Sequence, residues 1–184
     1  SGPVSMKATL DRKAVEKFNS YWEDLVEDFP EARATAVKAM GEAVKRDLDA
    51  QIGKADLEAD AKETVRSWQE LRLGSGGGYA ALSAKKGHPS GGKSKSWNGK
   101  AVTVKQVTKW LERGHGAREA DPTGDYFYSK RRRNRKGKAG YNARTTRYYI
   151  KGRMFYSWTK MKALEHALDA ANEVLEIFAE ERGV

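Results

Sequence analysis

The sequence predicts an α+β fold: a small antiparallel sheet packed by N-terminal helices and one long C-terminal helix. Three observations predict it. Apolar residues repeat at helical spacing at both ends of the chain, β-branched and aromatic clusters fall between them, and two central stretches are rich in Gly, Ser and Lys. A chain of 184 residues buries enough surface for a single domain without disulfide staples. That domain is expected over 6–184, with mobile basic loops at about 74–100 and 129–144, and Ser1–Ser5 (SGPVS) ahead of Met6 read as an expression remnant.

Phe18, Tyr21, Trp22, Leu25, Val26 and Phe29 recur every three or four residues, which predicts a helix from about Asp11 to Asp28. Pro30 cannot continue that helix but suits the first turn of another. Val37, Met40, Val44, Leu48 and Ile52 then define a second helix from about Pro30 to Ile52, before Gly53. Between Asp56 and Glu70 the pattern admits either a helix or a strand that begins at Val65 or Trp68 and ends at Leu71 and Leu73. Gly74–Gly78 and Gly87–Gly99 carry too little apolar surface to pack and read as loops or linkers, with a short strand from Tyr79 to Ala84 between them. Val102 and Val104 read as a strand leading into a short helix through Val107 and Leu111, ended by Gly114. Tyr126–Tyr128 and Thr145–Ile150 read as two strands joined by a long basic loop, Lys130–Lys138. Phe155, Trp158, Met161, Leu164, Leu168, Ala171, Leu175 and Phe178 predict the long terminal helix, its apolar face on a sheet or on the N-terminal helices and its other face solvated.

The charge is segregated. Thirty-five Lys plus Arg against 25 Asp plus Glu give a net +10, yet residues 1–70 carry −4 and residues 154–184 carry −3. The excess lies in residues 71–111, at +8, and in residues 129–153, at +11, neither of which holds an acid. With 39% hydrophobic and 33% charged residues, no run of 18 apolar residues and no signal-peptide pattern, the chain is expected to be soluble and made inside the cell. Zero cysteines exclude disulfides, thiol catalysis and cysteine-ligated metals.

Candidate chemistry is sparse. The run Lys130, Arg131, Arg132, Arg133, Asn134, Arg135, Lys136, Gly137, Lys138 has the charge density to displace counterions from several phosphates, or to meet an acidic surface of another subunit. Tyr126, Phe127, Tyr128, Tyr141, Tyr148 and Tyr149 around it serve either base stacking or a sheet face. Of the three histidines, His88 lies in a Gly/Ser-rich loop and His166 on the terminal helix without a partner histidine one turn away. His115, near Glu112, Gly114, Gly116 and Asp121, is the better catalytic candidate, but no second histidine at nuclease spacing accompanies it. Gly74–Gly78 lacks the Gly-Lys-Ser/Thr ending of a phosphate-cradling loop. No catalytic residue, cofactor or metal site is therefore assigned.

Trp110-Leu-Glu-Arg-Gly-His-Gly116, followed by Gly152-Arg-Met-Phe155 and an amphipathic helix over Ser157–Glu181, resembles the tail-completion, or neck, family of long-tailed bacteriophages, the head-to-tail joining and minor tail components. The motifs cover roughly residues 100–182, and the remainder is similar in layout. The resemblance implies that Glu112 and Gly114 mark a tight turn after a short helix, and that Gly152 and Arg153 open the last helix. Trp110, His115 and Phe155 then belong to the structural motif. Where the family carries Thr-Gly-x-Leu-Arg after the second helix, this chain has Arg66-Ser-Trp-Gln-Glu-Leu-Arg72, and its two basic loops are longer. The resemblance further implies a non-enzymatic virion or prophage protein, made in the bacterial host cytoplasm. It would form a homo-oligomeric ring, a hexamer in this picture, and contact connector and tail-tube proteins, with transient DNA contact and no membrane. The alternative is a basic nucleic-acid-binding protein using the Arg-rich loop.

Overall fold

Phe29 precedes a proline and is extended, with φ −132 and ψ 84, because the proline ring disfavours helical geometry in the residue before it. The computed structural model therefore separates an N-terminal helical stretch from helix α1, Pro30–Lys54, as the sequence predicts. The structure describes residues 8–9, 13, 16, 20, 22–23, 25, 27–89, 96–97, 100–117, 126–129 and 147–184. Within the predicted first helix, the described residues 13, 16, 20, 22, 23, 25, 27 and 28 are all helical.

Helix α2, Ala59–Trp68, passes directly into strand β2, Gln69–Leu73, so the segment left open between helix and strand contains both. Strand β3, Ala80–Ala84, pairs antiparallel with β2 from Gln69↔Ala84 to Leu73↔Ala80, and β1, Ala8–Thr9, pairs with its other edge. The Gly74–Gly78 run, read from sequence as a linker, instead closes this hairpin. Gly74 N donates to Tyr79 O at 2.8 Å, and Gly76 and Gly77 take φ of 66 and 68, a region open to glycine without steric cost. The turn also rests on α1, since a Cβ on Gly77 would lie 2.4 Å from the Ala34 Cβ. Composition alone hides this role, because the glycines are selected by backbone geometry and close approach.

Strands β4, Ser96–Trp97, and β5, Lys100–Ala101, form a two-stranded ribbon ahead of helix α3, Val104–Arg113. Thr103 caps α3 by accepting from Gln106 N at 3.1 Å. Gly114, with φ 79, ends it. The chain continues as β6, Gly114–Ala117, β7, Tyr126–Ser129, and β8, Arg147–Lys151, an antiparallel sheet of order β6-β8-β7. The two predicted strands that flank the basic run are thus paired neighbours, Ser129↔Arg147 to Tyr126↔Ile150. Lys130, Arg131, Arg132, Arg133, Arg135, Lys136 and Lys138 lie outside the described residues, as do residues 90–95 and 98–99 of the other expected loop.

The last element is helix α4, Phe155–Arg182. It runs antiparallel to α1: Arg182 Nη2 lies 3.7 Å from Glu31 Oε1, and His166 Nδ1 lies 2.6 Å from Asp47 Oδ2. The core sits between these helices. Ala32, Ala36, Met40, Val44, Leu48 and Ile52 of α1 meet Phe155, Ala167, Ala171 and Leu175 of α4, joined by Val65 and by Leu82 of β3. Alanines at the crossing let the two backbones approach closely while the larger side chains fill the ends. The fold is α+β: three small antiparallel sheets, of order β1-β3-β2, β4-β5 and β6-β8-β7, accompany the long helix pair.

Candidate functional site

Helix α4 begins with unsatisfied backbone donors, as every helix does, and the residue at its cap position, Met154, has no side chain able to accept from them. A carboxylate from another helix supplies the missing acceptor. Glu112, at the end of α3 and 4% exposed, takes the Tyr156 N–H on Oε2 at 2.9 Å and the Ser157 N–H on Oε1 at 3.0 Å. The Ser157 hydroxyl donates to the same Oε1 at 2.7 Å. The negative charge also sits at the positive end of the α4 dipole.

The backbone around Glu112 closes the same junction. Arg153 N donates to Leu111 O at 2.8 Å and Met154 N to Glu112 O at 3.0 Å. Gly152 is pressed against α3: an added Cβ would lie 2.4 Å from Glu112 O and 2.5 Å from the Arg113 carbonyl carbon. No side chain fits there without moving backbone. Met154 adopts left-handed geometry, φ 54 and ψ 28, to turn the chain from β8 into α4. The Trp110 and His115 rings lie against each other at a tilt, 6.0 Å between centroids and 48° between planes. Phe155 is fully buried in the core, and Arg153 Nε reaches the Asp56 carbonyl at 3.3 Å.

A second buried network adjoins this clasp. Tyr156 Oη donates to Gln69 Oε1 at 2.6 Å, and Gln69 Nε2 donates to Thr108 Oγ1 at 3.1 Å and to Val65 O at 3.2 Å. These groups come from α4, β2, α3 and α2, so one set of hydrogen bonds ties four elements. Burial, followed by the charges of Glu112 and Asp49, pushes the Tyr156 hydroxyl well above the ordinary tyrosine range.

The structure therefore brings together every motif residue singled out in the sequence: Trp110, Glu112, Gly114, His115, Gly152, Arg153 and Phe155. It leaves His88 and His166 elsewhere. His88 Nδ1 donates to Val102 O at 2.8 Å, while His166 joins Asp47 across the helix pair. Sequence reading missed Tyr156, Ser157, Gln69 and Thr108. Single polar residues inside apolar patterns give no signal of burial, although a serine in the first turn of a helix is a modest hint of capping chemistry.

A cleft of about 160 Å³ is lined by Lys54, Ala55, Asp56, Lys151, Gly152 and Arg153. On the outer side of α4, Met154, Trp158, Met161 and Leu164 are exposed, Met161 to 71%. Among the described residues no group of three or more His, Asp or Glu side chains is placed to hold a metal ion, and no helix is long and apolar enough to cross a membrane. Compared with protein families, with characterised proteins and with solved structures, the chain finds no significant match in any of the three.

Proposed function

We propose that the chain is a structural assembly protein of the phage neck, which completes a tail and joins it to the connector of the head. One observation carries the proposal. The two segments that bear the resemblance, with Glu112 and Tyr156 44 residues apart, form a single clasp whose carboxylate is spent on backbone and hydroxyl donors. A general acid or base needs an oxygen within reach of substrate, whereas both oxygens of Glu112 hold the start of α4. Such a motif is architectural: it fixes the angle at which a long helix leaves the sheet. In this role the chain acts as a ring of identical copies, a hexamer by the resemblance, and its partners are connector and tail-tube proteins in the virion.

The exposed stripe Met154, Trp158, Met161 and Leu164 supports self-association, and a contact between two different faces of identical copies forms a ring where the rotation between them closes. Removal of the coding sequence from the phage that carries it is expected to yield separate full heads and finished tails by electron microscopy. Normal joined, infectious particles would overturn the proposal. Nucleic-acid contact is the second reading, favoured by the acid-free stretch 129–153, whose last two cations, Lys151 and Arg153, enter the cleft described above.

A further inference from the structure

The cleft beside the clasp gathers cations from two distant parts of the chain. Lys54 comes from the end of α1, Lys151 from the end of β8, and Arg153 from the turn into α4; Asp56 is the single acid in the lining. Three cations against one carboxylate leave the cleft with a net positive charge. Neither lysine ammonium has a hydrogen bond or ion pair among the described residues, while Arg153 uses Nε on the Asp56 carbonyl, 3.3 Å away. Two lysines that line one concavity without a paired counter-charge give it a positive potential.

The carboxy end of α1 would by itself repel an anion. That end is already covered. Lys62 Nζ donates to Gly53 O at 2.8 Å, and Arg66 donates through Nε and Nη2 to Asp49 O at 3.1 and 2.9 Å. The cations that neutralise the helix end are thus distinct from those that face the cleft, and the lysines are left to act on a ligand. The backbone of the lining is also constrained. Gly152 packs directly on Glu112 and Arg113, and Arg153 N and Met154 N donate to Leu111 O and Glu112 O, so the segment that carries Lys151 and Arg153 is tied to the end of α3.

We propose that this cleft binds a phosphate group, and that its occupant is a backbone phosphate of a nucleic acid. The ligand is an oxyanion because three of the six lining residues are cations and one is an acid, a net positive charge that favours an anion. The backbone is favoured over a free phosphate by continuity. Lys151 and Arg153 are the last members of a 25-residue stretch, 129–153, that carries +11 and no acid, a length and charge suited to several successive phosphates. The inference is independent of the neck assignment and rests on the nucleic-acid reading drawn from the stretch 129–153; the duplex titration tests that reading and the cleft variants test the cleft.

The experiment measures binding of a fluorescent duplex oligonucleotide by anisotropy from 25 to 200 mM salt (roughly the range over which phosphate contacts weaken). Tripolyphosphate is titrated in parallel. The wild type is compared with Lys54→Met/Lys151→Met, with Asp56→Asn and with Lys38→Met/Arg182→Met, the last being two exposed cations further along the helix pair from Lys54, Arg182 lying beside Glu31 at the opposite end of α1. The cleft pair is expected to lose about tenfold in duplex affinity at low salt and to flatten the salt dependence by about 1.8 log units per decade, the value for two phosphate contacts. Asp56→Asn is expected to bind tighter, and the control pair to match the wild type. Tripolyphosphate should compete with the duplex in the wild type. Duplex binding that the cleft pair and Asp56→Asn leave unchanged overturns the proposal, as does the absence of duplex binding at the lowest salt. Tripolyphosphate binding with no duplex binding overturns the nucleic-acid occupant.

Discussion

Glu112 shows how one side chain can decide a junction. Its two oxygens accept three hydrogen bonds from Tyr156 and Ser157, and hydrogen bonds to a charged group each contribute about 1.5–3 kcal/mol, with partial overlap when they share an acceptor. Glu112→Ala removes the acceptors and leaves two helix donors without partners; a loss of about 2–4 kcal/mol in unfolding free energy is expected by urea denaturation. Glu112→Gln keeps one carbonyl oxygen but loses the charge at the helix start, so about half of that loss is expected. The order of the two variants is the sharper test. A catalytic carboxylate would leave stability unchanged in both, whereas a capping carboxylate makes alanine the worse of the two.

At the level of elements, helix periodicity and strand clusters made most of the fold legible. α1, α3, α4 and the β7/β8 pair all follow from apolar spacing, Pro30 and Gly114. What the sequence hides are relations between elements. The α2-to-β2 passage at Trp68 and Gln69 is ambiguous because Val65, Trp68, Leu71 and Leu73 satisfy a period of either three to four or two, and the choice is made by β3 pairing on one side only. The motif residues were legible as a group, but the reason for Glu112 was not, since its partners lie in another helix. The same is true of the Tyr156, Gln69 and Thr108 chain, and it has a pH consequence. Folding holds the Tyr156 hydroxyl protonated above the pH, about 10, at which the unfolded chain releases its proton. The native state therefore binds more protons than the unfolded state above that pH, and stability falls as pH rises. Tyr156 contributes nothing to the pH dependence below about pH 9, and a slope approaching about −1.4 kcal/mol per unit above pH 10. Tyr156→Phe should lack that slope. The difference between wild type and variant, measured by denaturation from pH 8 to 11 (roughly one unit either side of the tyrosine range), isolates it from the other tyrosines; parallel curves would show that the hydroxyl ionises as readily in the fold as out of it.

The whole molecule pairs a nearly balanced helical body with basic central segments, and its long helix shows different faces along its length. Along α4, Ala167, Ala171 and Leu175 are buried against α1. Its first two turns bury Phe155, Tyr156 and Thr159 on one side while Trp158, Met161 and Leu164 stand 50–71% exposed on the other. Burial of side chains this large contributes about 1.5–3 kcal/mol each, so a surface of three or four is an adequate centre for a weak contact between copies and a poor solvent face for a monomer. The neighbouring Lys160 and Lys162 keep it from being uniformly apolar, which favours a reversible contact over collapse. If the chain forms a ring through this stripe, Trp158→Glu/Met161→Glu should shift the sedimentation profile towards the monomer across a concentration series in which the wild type associates. Its melting temperature in dilute solution should stay within about 2 °C of wild type, because exposed positions contribute little to the isolated fold. A wild type that associates equally well with both substitutions in place would move the copy-to-copy contact off this stripe.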